Sequence, residues 1–179
     1  HKLKMDLKLD GKTALITGAS MGIGEHIART LANEGVHLHL TARSEDKLEI
    51  LKAQIIESSN ISVTLHPLDL TSKGASERLA KMTDNIDILV NNAGAIPSVD
   101  LWDVDETAWR AGFDLKVFGY INMCRQFYRK MKDDGGGVII NIIGNGGEVL
   151  DREYIAGAAG NISLMGFTRA LGGHALDDN

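Results

Sequence analysis

The 179-residue sequence predicts an α/β fold, a doubly wound parallel sheet with helices on both faces, and three observations carry that reading. Short β-type runs alternate with helix-length amphipathic stretches, the pattern of strands joined by helical crossovers. A glycine cluster, Gly18, Gly22 and Gly24, falls between the first such strand and the first such helix. Glycine is abundant at 20 and proline scarce at 2, and further glycines gather over 135–147 and 157–173 beside apolar runs. That distribution suits tight turns and close backbone approach.

Residues 13–17, Thr-Ala-Leu-Ile-Thr, read as a buried strand, and the following helix carries Ile27, Leu31 and Ala32. Residues 36–40 alternate apolar and polar, so the second strand exposes one face more. Leu48, Leu51 and Ile55 have helical spacing within 45–57. A third strand is expected over 61–65, a short helix over 74–83 and a fourth strand over 86–90. One long helix follows over 106–131, then an apolar fifth strand over 138–143 and a last helix over 154–171. No internal repeat, linker or domain boundary interrupts residues 1–179, so a single domain is expected. Met5 reads as the natural start, with residues 1–4 a non-native leader.

Composition bounds the function. The chain is 44% hydrophobic and 24% charged with a net charge of −5, ordinary for a globular protein and without the basic footprint of a nucleic-acid or anionic-membrane binder. The single cysteine, Cys124, excludes an intramolecular disulfide framework and a Cys-rich zinc site. No apolar run reaches membrane-spanning length and no signal-type segment follows the N-terminus, so the expected location is the cytoplasm. His37 and His39 share a strand face and could form half of a metal site. With no third ligand suggested, no metal is expected and the pair reads as a solvated strand face. Trp102 and Trp109 read as packing or interface residues. Val117, Ile121 and Met123 read as core or a subunit contact.

The loop Thr17-Gly18-Ala19-Ser20-Met21-Gly22-Ile23-Gly24 stands in a strand–turn–helix context. Its glycines allow a tight turn, approach of backbone amides to a pyrophosphate, and close helix–strand packing. The helix N-terminus adds partial positive charge where a diphosphate would sit. At the end of the second strand, Ala42 fills the position where a NAD-selective site carries a carboxylate, and Arg43 and Ser44 follow. An Arg fork beside a hydroxyl suits a 2′-phosphate, which favours NADP over NAD. The alternative is that Arg43 stacks on adenine or faces solvent.

The TGxxxGIG spacing, together with Asn91-Asn92-Ala93-Gly94 directly after the fourth strand, resembles the short-chain dehydrogenase/reductase family over about residues 9–171. The resemblance implies a Rossmann-type doubly wound parallel sheet that binds NAD or NADP at the C-terminal ends of its strands. It places Gly18, Ser20, Met21, Gly22, Ile23 and Gly24 at the phosphates and Arg43 and Ser44 at the ribose. Asp69 and Leu70 fall at the adenine, and Asn91, Ala93 and Gly94 line the cleft.

The family's active members combine a Ser after the fifth strand, a YxxxK pair on the next helix and an Asn on the preceding long helix. Tyr128 and Lys132 match YxxxK literally but precede the fifth strand. The better match is Tyr154, with Ala158 at the Lys position, Gly144 at the Ser position and Asp114 at the Asn position. Three of the four positions thus depart from the pattern. Asn145 adjoins the Ser slot and could donate to a carbonyl oxygen. Asp114 either takes part or bonds backbone donors between helices. Asn161, two helical turns after Tyr154, either meets ribose or water or serves packing.

The expected activity is hydride transfer between NADP(H) and a small-molecule carbonyl or alcohol, with Tyr154, Asn145 and Asp114 as catalytic candidates. The rivals are a dinucleotide-binding sensor with little turnover and an inactive scaffold. The resemblance also implies a homodimer or homotetramer built on the helices over 106–131 and 154–171. By family standards the chain stops early after Leu171-Gly172-Gly173, where a further strand, a substrate loop and a final strand would be expected.

Overall fold

A computed structural model describes residues 6–179. The expectation about Met5 and the residues before it lies outside the described residues. Five strands, β1 (Thr13–Thr17), β2 (His37–Ala42), β3 (Val63–Pro67), β4 (Ile88–Asn91) and β5 (Val138–Asn141), form one parallel sheet in the order β3-β2-β1-β4-β5. The helices are α1 (Gly22–Asn33), α2 (Glu45–Ser58), α3 (Ala75–Met82), α4 (Glu106–Phe113), α5 (Gly119–Asp133) and α6 (Ile155–Gly172). The parallel sheet with helices on both faces, read from the alternation of runs, is what the chain adopts, in the Rossmann-type form that the resemblance implies.

Ala14, Leu15 and Ile16 are all fully buried, because β1 is central and covered on both faces. Ala14, Ile16, Leu38 and Leu40 pack with Ala28 and Ala32 of α1 and Leu48, Leu51 and Ile55 of α2. On the other face Leu15 and Leu89 meet Leu79 of α3 and Met123, Phe127 and Met131 of α5. Strand order reverses at β1, whose neighbours are β2 and β4, and a crevice opens there at the C-terminal strand ends.

Strand bounds shift by a few residues, and three features differ from expectation for identifiable reasons. β2 runs on to Ala42 because the Thr41 hydroxyl is buried and donates to His66 O at 2.8 Å, so a polar residue extends the strand. The helix expected over 106–131 is broken by a π-helical stretch, Asp114–Phe118, between α4 and α5. The face expected to be solvated is partly covered: His39 is half-buried, and its Nδ1 lies 2.8 Å from Nε2 of buried His66. His37 stays apart, with Nδ1 accepting from Ser62 N at 3.0 Å. Among the described residues no group of three or more ligating side chains could hold a metal ion, and no helix is long and apolar enough to cross a membrane.

Candidate active site

The crevice is a cleft of about 700 Å³ running from the ends of β2 and β3, across the glycine loop, to the loop after β4. That volume lies in the range of small-molecule and cofactor sites. Gly18 has φ 63°, and a Cβ there would stand 2.9 Å from Ala93 Cα. A Cβ on Gly24 would stand 2.3 Å from Gly18 O, so this glycine lets α1 press against the turn. Met21 begins α1 without a side-chain cap, leaving the first-turn amides available to an anion. Ser20, Met21 and Ile23 line the cleft, and Met21 and Ile23 are each 62% exposed at its rim. Gly22 has φ 59° and no cleft contact.

The loop after β4 is stitched to the glycine loop. Thr17 Oγ1 accepts from Asn92 N at 2.9 Å and from Ala93 N at 3.0 Å. The Asn92 amide donates to Thr17 O at 3.1 Å and Gly18 O at 3.2 Å. Ala93 and Gly94 line the cleft, but Asn91 does not. Its fully buried side chain turns to the neighbouring strand, donating to Asn141 Oδ1 at 2.9 Å beside Cys124. Asn91 thus packs β4 against β5, and Asn92 is the residue that shapes the cleft. Period-2 alternation held the signal for this, because successive side chains leave a strand on opposite faces.

At the β2 end Arg43, Ser44 and Lys47 line the cleft. Ser44 caps α2, its Oγ accepting from Lys47 N at 3.5 Å, so the cap places Lys47 on the first turn. Lys47 escaped the sequence reading, which stopped at the strand end. Across from it, Asp69 Oδ1 accepts from Thr71 N at 2.9 Å and Thr71 Oγ1 at 2.8 Å. Those two bonds, aided by Arg43, hold the Asp69 carboxyl below the usual carboxylate range. Leu68 and Leu70 complete this end.

Beyond the cleft, Tyr154 is the N-cap of α6. Its ring occupies space that only glycines leave open: a Cβ at Gly157 would stand 1.9 Å from Tyr154 Cζ, and one at Gly146 2.8 Å from Cδ1. Asn145 is exposed and opens the turn Asn145–Gly147 against which the ring lies. Asn161 is fully buried; its Oδ1 accepts from Gly144 N at 3.2 Å, and its Nδ2 has no partner among the described residues. Tyr154, the turn at Asn145 and Asn161 are thus brought together.

Among the described residues no hydrogen bond or ion pair joins Asp114 to them. It is exposed and lines a separate groove with Leu101, Trp109, Arg110 and Phe118. Its neighbour Leu115 lines the cleft instead, and Lys116 packs beside it on Gly94. The wide π turn changes which residues of the helix face inward, a shift that a 3.6-residue period does not contain. Tyr128 and Lys132 lie apart at the end of α5, where both contact Asp178.

Residues 12–178 match the model of the short chain dehydrogenase family. An uncharacterised oxidoreductase of Staphylococcus saprophyticus is 32% identical over 169 residues, covering 92% of this chain and 72% of that protein. The solved structure of 7α-hydroxysteroid dehydrogenase with NADH and 7-oxo glycochenodeoxycholic acid superposes with a TM-score of 0.90 at 27% identity, covering 96% of this chain and 68% of that one. L-sorbose reductase from Gluconobacter frateurii, solved with NADPH and L-sorbose, gives 0.88 at 29% identity, covering 98% and 68%. A glycine loop stitched to the loop after β4, an open crevice at the strand reversal and these likenesses agree: the chain belongs to the short-chain dehydrogenase family, whose members are oxidoreductases.

Proposed function

We propose that the cleft binds NADP(H) in preference to NAD(H) and that the protein transfers hydride between it and a carbonyl or alcohol. The observation that carries the preference is at the β2 end. Arg43 and Lys47 both line the cleft there, next to Ala42, where no carboxylate opposes a 2′-phosphate. The uncapped first turn of α1 and the close approach allowed by Gly18 suit a pyrophosphate. The Asp69 carboxylate and the leucines beside it suit an adenine. One solved relative holds NADPH and another NADH, so membership alone leaves the choice between them to this chain's residues.

NADP(H) supplies or accepts the hydride when bound. Tyr154 gives its hydroxyl proton to the substrate oxygen during reduction and takes it back from an alcohol during oxidation. The Asn145 amide, at the turn where Tyr154 lies, donates a hydrogen bond to the same oxygen. Neither Ala158 nor Gly144 offers a polar side chain, so on the α6 side Tyr154 moves the proton and Asn145 polarises the oxygen.

Fluorescence titration tests the preference: NADPH should bind more tightly than NADH, and Arg43→Ala should remove most of the difference. A charge-assisted contact to phosphate is worth about 1.5–3 kcal/mol, or roughly ten- to hundred-fold in affinity. Equal affinities in the parent protein would sink the reading. Tyr154→Phe should abolish turnover, and binding of NADPH without turnover on any carbonyl or alcohol of a broad panel would overturn the oxidoreductase assignment.

A further inference from the structure

Lys116 stands in the middle of the π-helical stretch Asp114–Phe118, where the Gly119 N–H donates back to Asp114 O. Such wide turns are rare within helices and concentrate at functional sites. Here the turn lies where the helix passes the loop after β4. The Lys116 stem covers Gly94, so that a Cβ on that glycine would stand 3.0 Å from Cδ and Cγ and 3.2 Å from Cβ of the lysine. Its Nζ lies 5.7 Å from the centroid of the Tyr120 ring. The Tyr120 hydroxyl is committed to Ile142 O at 2.8 Å, and burial keeps that phenol protonated, so it offers the ammonium a ring face and no negative charge.

Lys116 is half-buried, and burial pulls its pKa below the ordinary lysine range. Among the described residues it makes no ion pair and no hydrogen bond. A desolvated cation without an acid costs free energy, and an oxygen-bearing ligand in the adjoining cleft offsets that cost. The strand order says which part of a ligand this would be. Arg43 and Lys47 mark the β2 end, the uncapped α1 turn follows β1, and Gly94 follows β4 on the far side. A dinucleotide held by its phosphates at β2 and β1 extends its other half past β4. On α6, one turn after Tyr154, the buried Ala158 offers no cation.

We propose that Lys116 is a cofactor-contacting residue: its ammonium holds oxygens of the nicotinamide half of the dinucleotide, and the cation of this end of the cleft comes from the π turn and not from α6. This rests on the cleft being a dinucleotide site. The test compares NADPH with adenosine 2′,5′-bisphosphate, which carries only the adenine end, in the parent and in Lys116→Met. Methionine keeps an unbranched stem to cover Gly94 and Tyr120 while deleting the charge. Lys116→Met should weaken NADPH by about ten- to hundred-fold and leave adenosine 2′,5′-bisphosphate within about two-fold. Unchanged NADPH affinity overturns the proposal, and so does equal weakening of both ligands, which would mark a role in holding the cleft's shape. A parent protein that binds neither ligand defeats the dinucleotide reading itself, a result distinct from tight parental binding that Lys116→Met leaves untouched.

Discussion

A serine at position 144 would need room that Asn161 already fills. A Cβ on Gly144 stands 2.8 Å from Asn161 Nδ2, closer than carbon and nitrogen tolerate, and Asn161 cannot swing away without releasing Gly144 N from its Oδ1. The two residues are therefore a matched pair: glycine leaves the space and asparagine occupies it. Gly144→Ser alone should destabilise the fold by about 1–3 kcal/mol, as overpacked sites do, seen as a lower urea midpoint. Gly144→Ser with Asn161→Ala should cost less than the sum of the two single changes, because the second change removes the clash even as it takes the acceptor from Gly144 N. A neutral Gly144→Ser would show that the pair is not coupled. The same pairing bears on catalysis, since a serine at 144 brings its Cβ against Asn161.

At the scale of the elements, β2 and β3 are joined by more than their ladder. The His39 and His66 rings lie within 8° of parallel, and their facing nitrogens share one hydrogen bond, one donating and the other accepting. Desolvation lowers the pKa of both, His66 to about 4, where the charge on His39 adds to the effect. Around His39, Asp84 acts in the opposite sense and Lys130 in the same sense, both more weakly than burial. A histidine whose folded pKa is depressed binds its proton more readily in the unfolded chain. Its stability is fully present above the unfolded value near 6.5 and is lost as the pH falls from there toward 4. The loss at the acid end is on the order of 3 kcal/mol. Urea midpoints should fall between about pH 6.5 and pH 5, above the range where most carboxylates titrate. His66→Gln should flatten that slope, and a parent midpoint constant over the interval would refute the linkage. The helix between β4 and β5 shows a different element-scale effect: one wide turn exchanges Asp114 for Leu115 at the cleft and lays the Lys116 stem on Gly94.

On the scale of the whole molecule, the sheet has β3 at one side and β5 at the other. Val138 and Ile140 of β5 are 53% and 42% exposed, and the free side of the strand presents unpaired backbone groups. Phe118, the last residue of the wide turn, is 52% exposed, and Ile162 on α6 is 48% exposed. Apolar side chains of this size on the two helices suit a two-fold interface, and we expect a homodimer or homotetramer built on them. Light scattering at micromolar concentration should give twice or four times the 19.3 kDa chain mass, and Phe118→Lys with Ile162→Lys should yield monomers. Multimers that survive both changes would point to the β5 edge instead, and a monomeric parent would overturn the expectation.

Strand and helix order, the core stripes and the phosphate-loop region were legible in the sequence, because each depends on local spacing: period 2 in the strands, period 3.6 in the helices, and glycines between them. Arg43 was legible for the same reason, directly past the second strand, whereas Asp69 was legible only through the family resemblance; both line the cleft. Which neighbour of a pair turns inward was not legible. Asn92 shapes the cleft while Asn91 locks β4 to β5, and Lys116 packs on Gly94 while Asp114 faces solvent. Those choices rest on where a strand ends and on one extra residue in a helical turn. The His39–His66 bond and the fit of Asn161 against Gly144 join residues distant in the chain, so only the packed sheet and helices decide them.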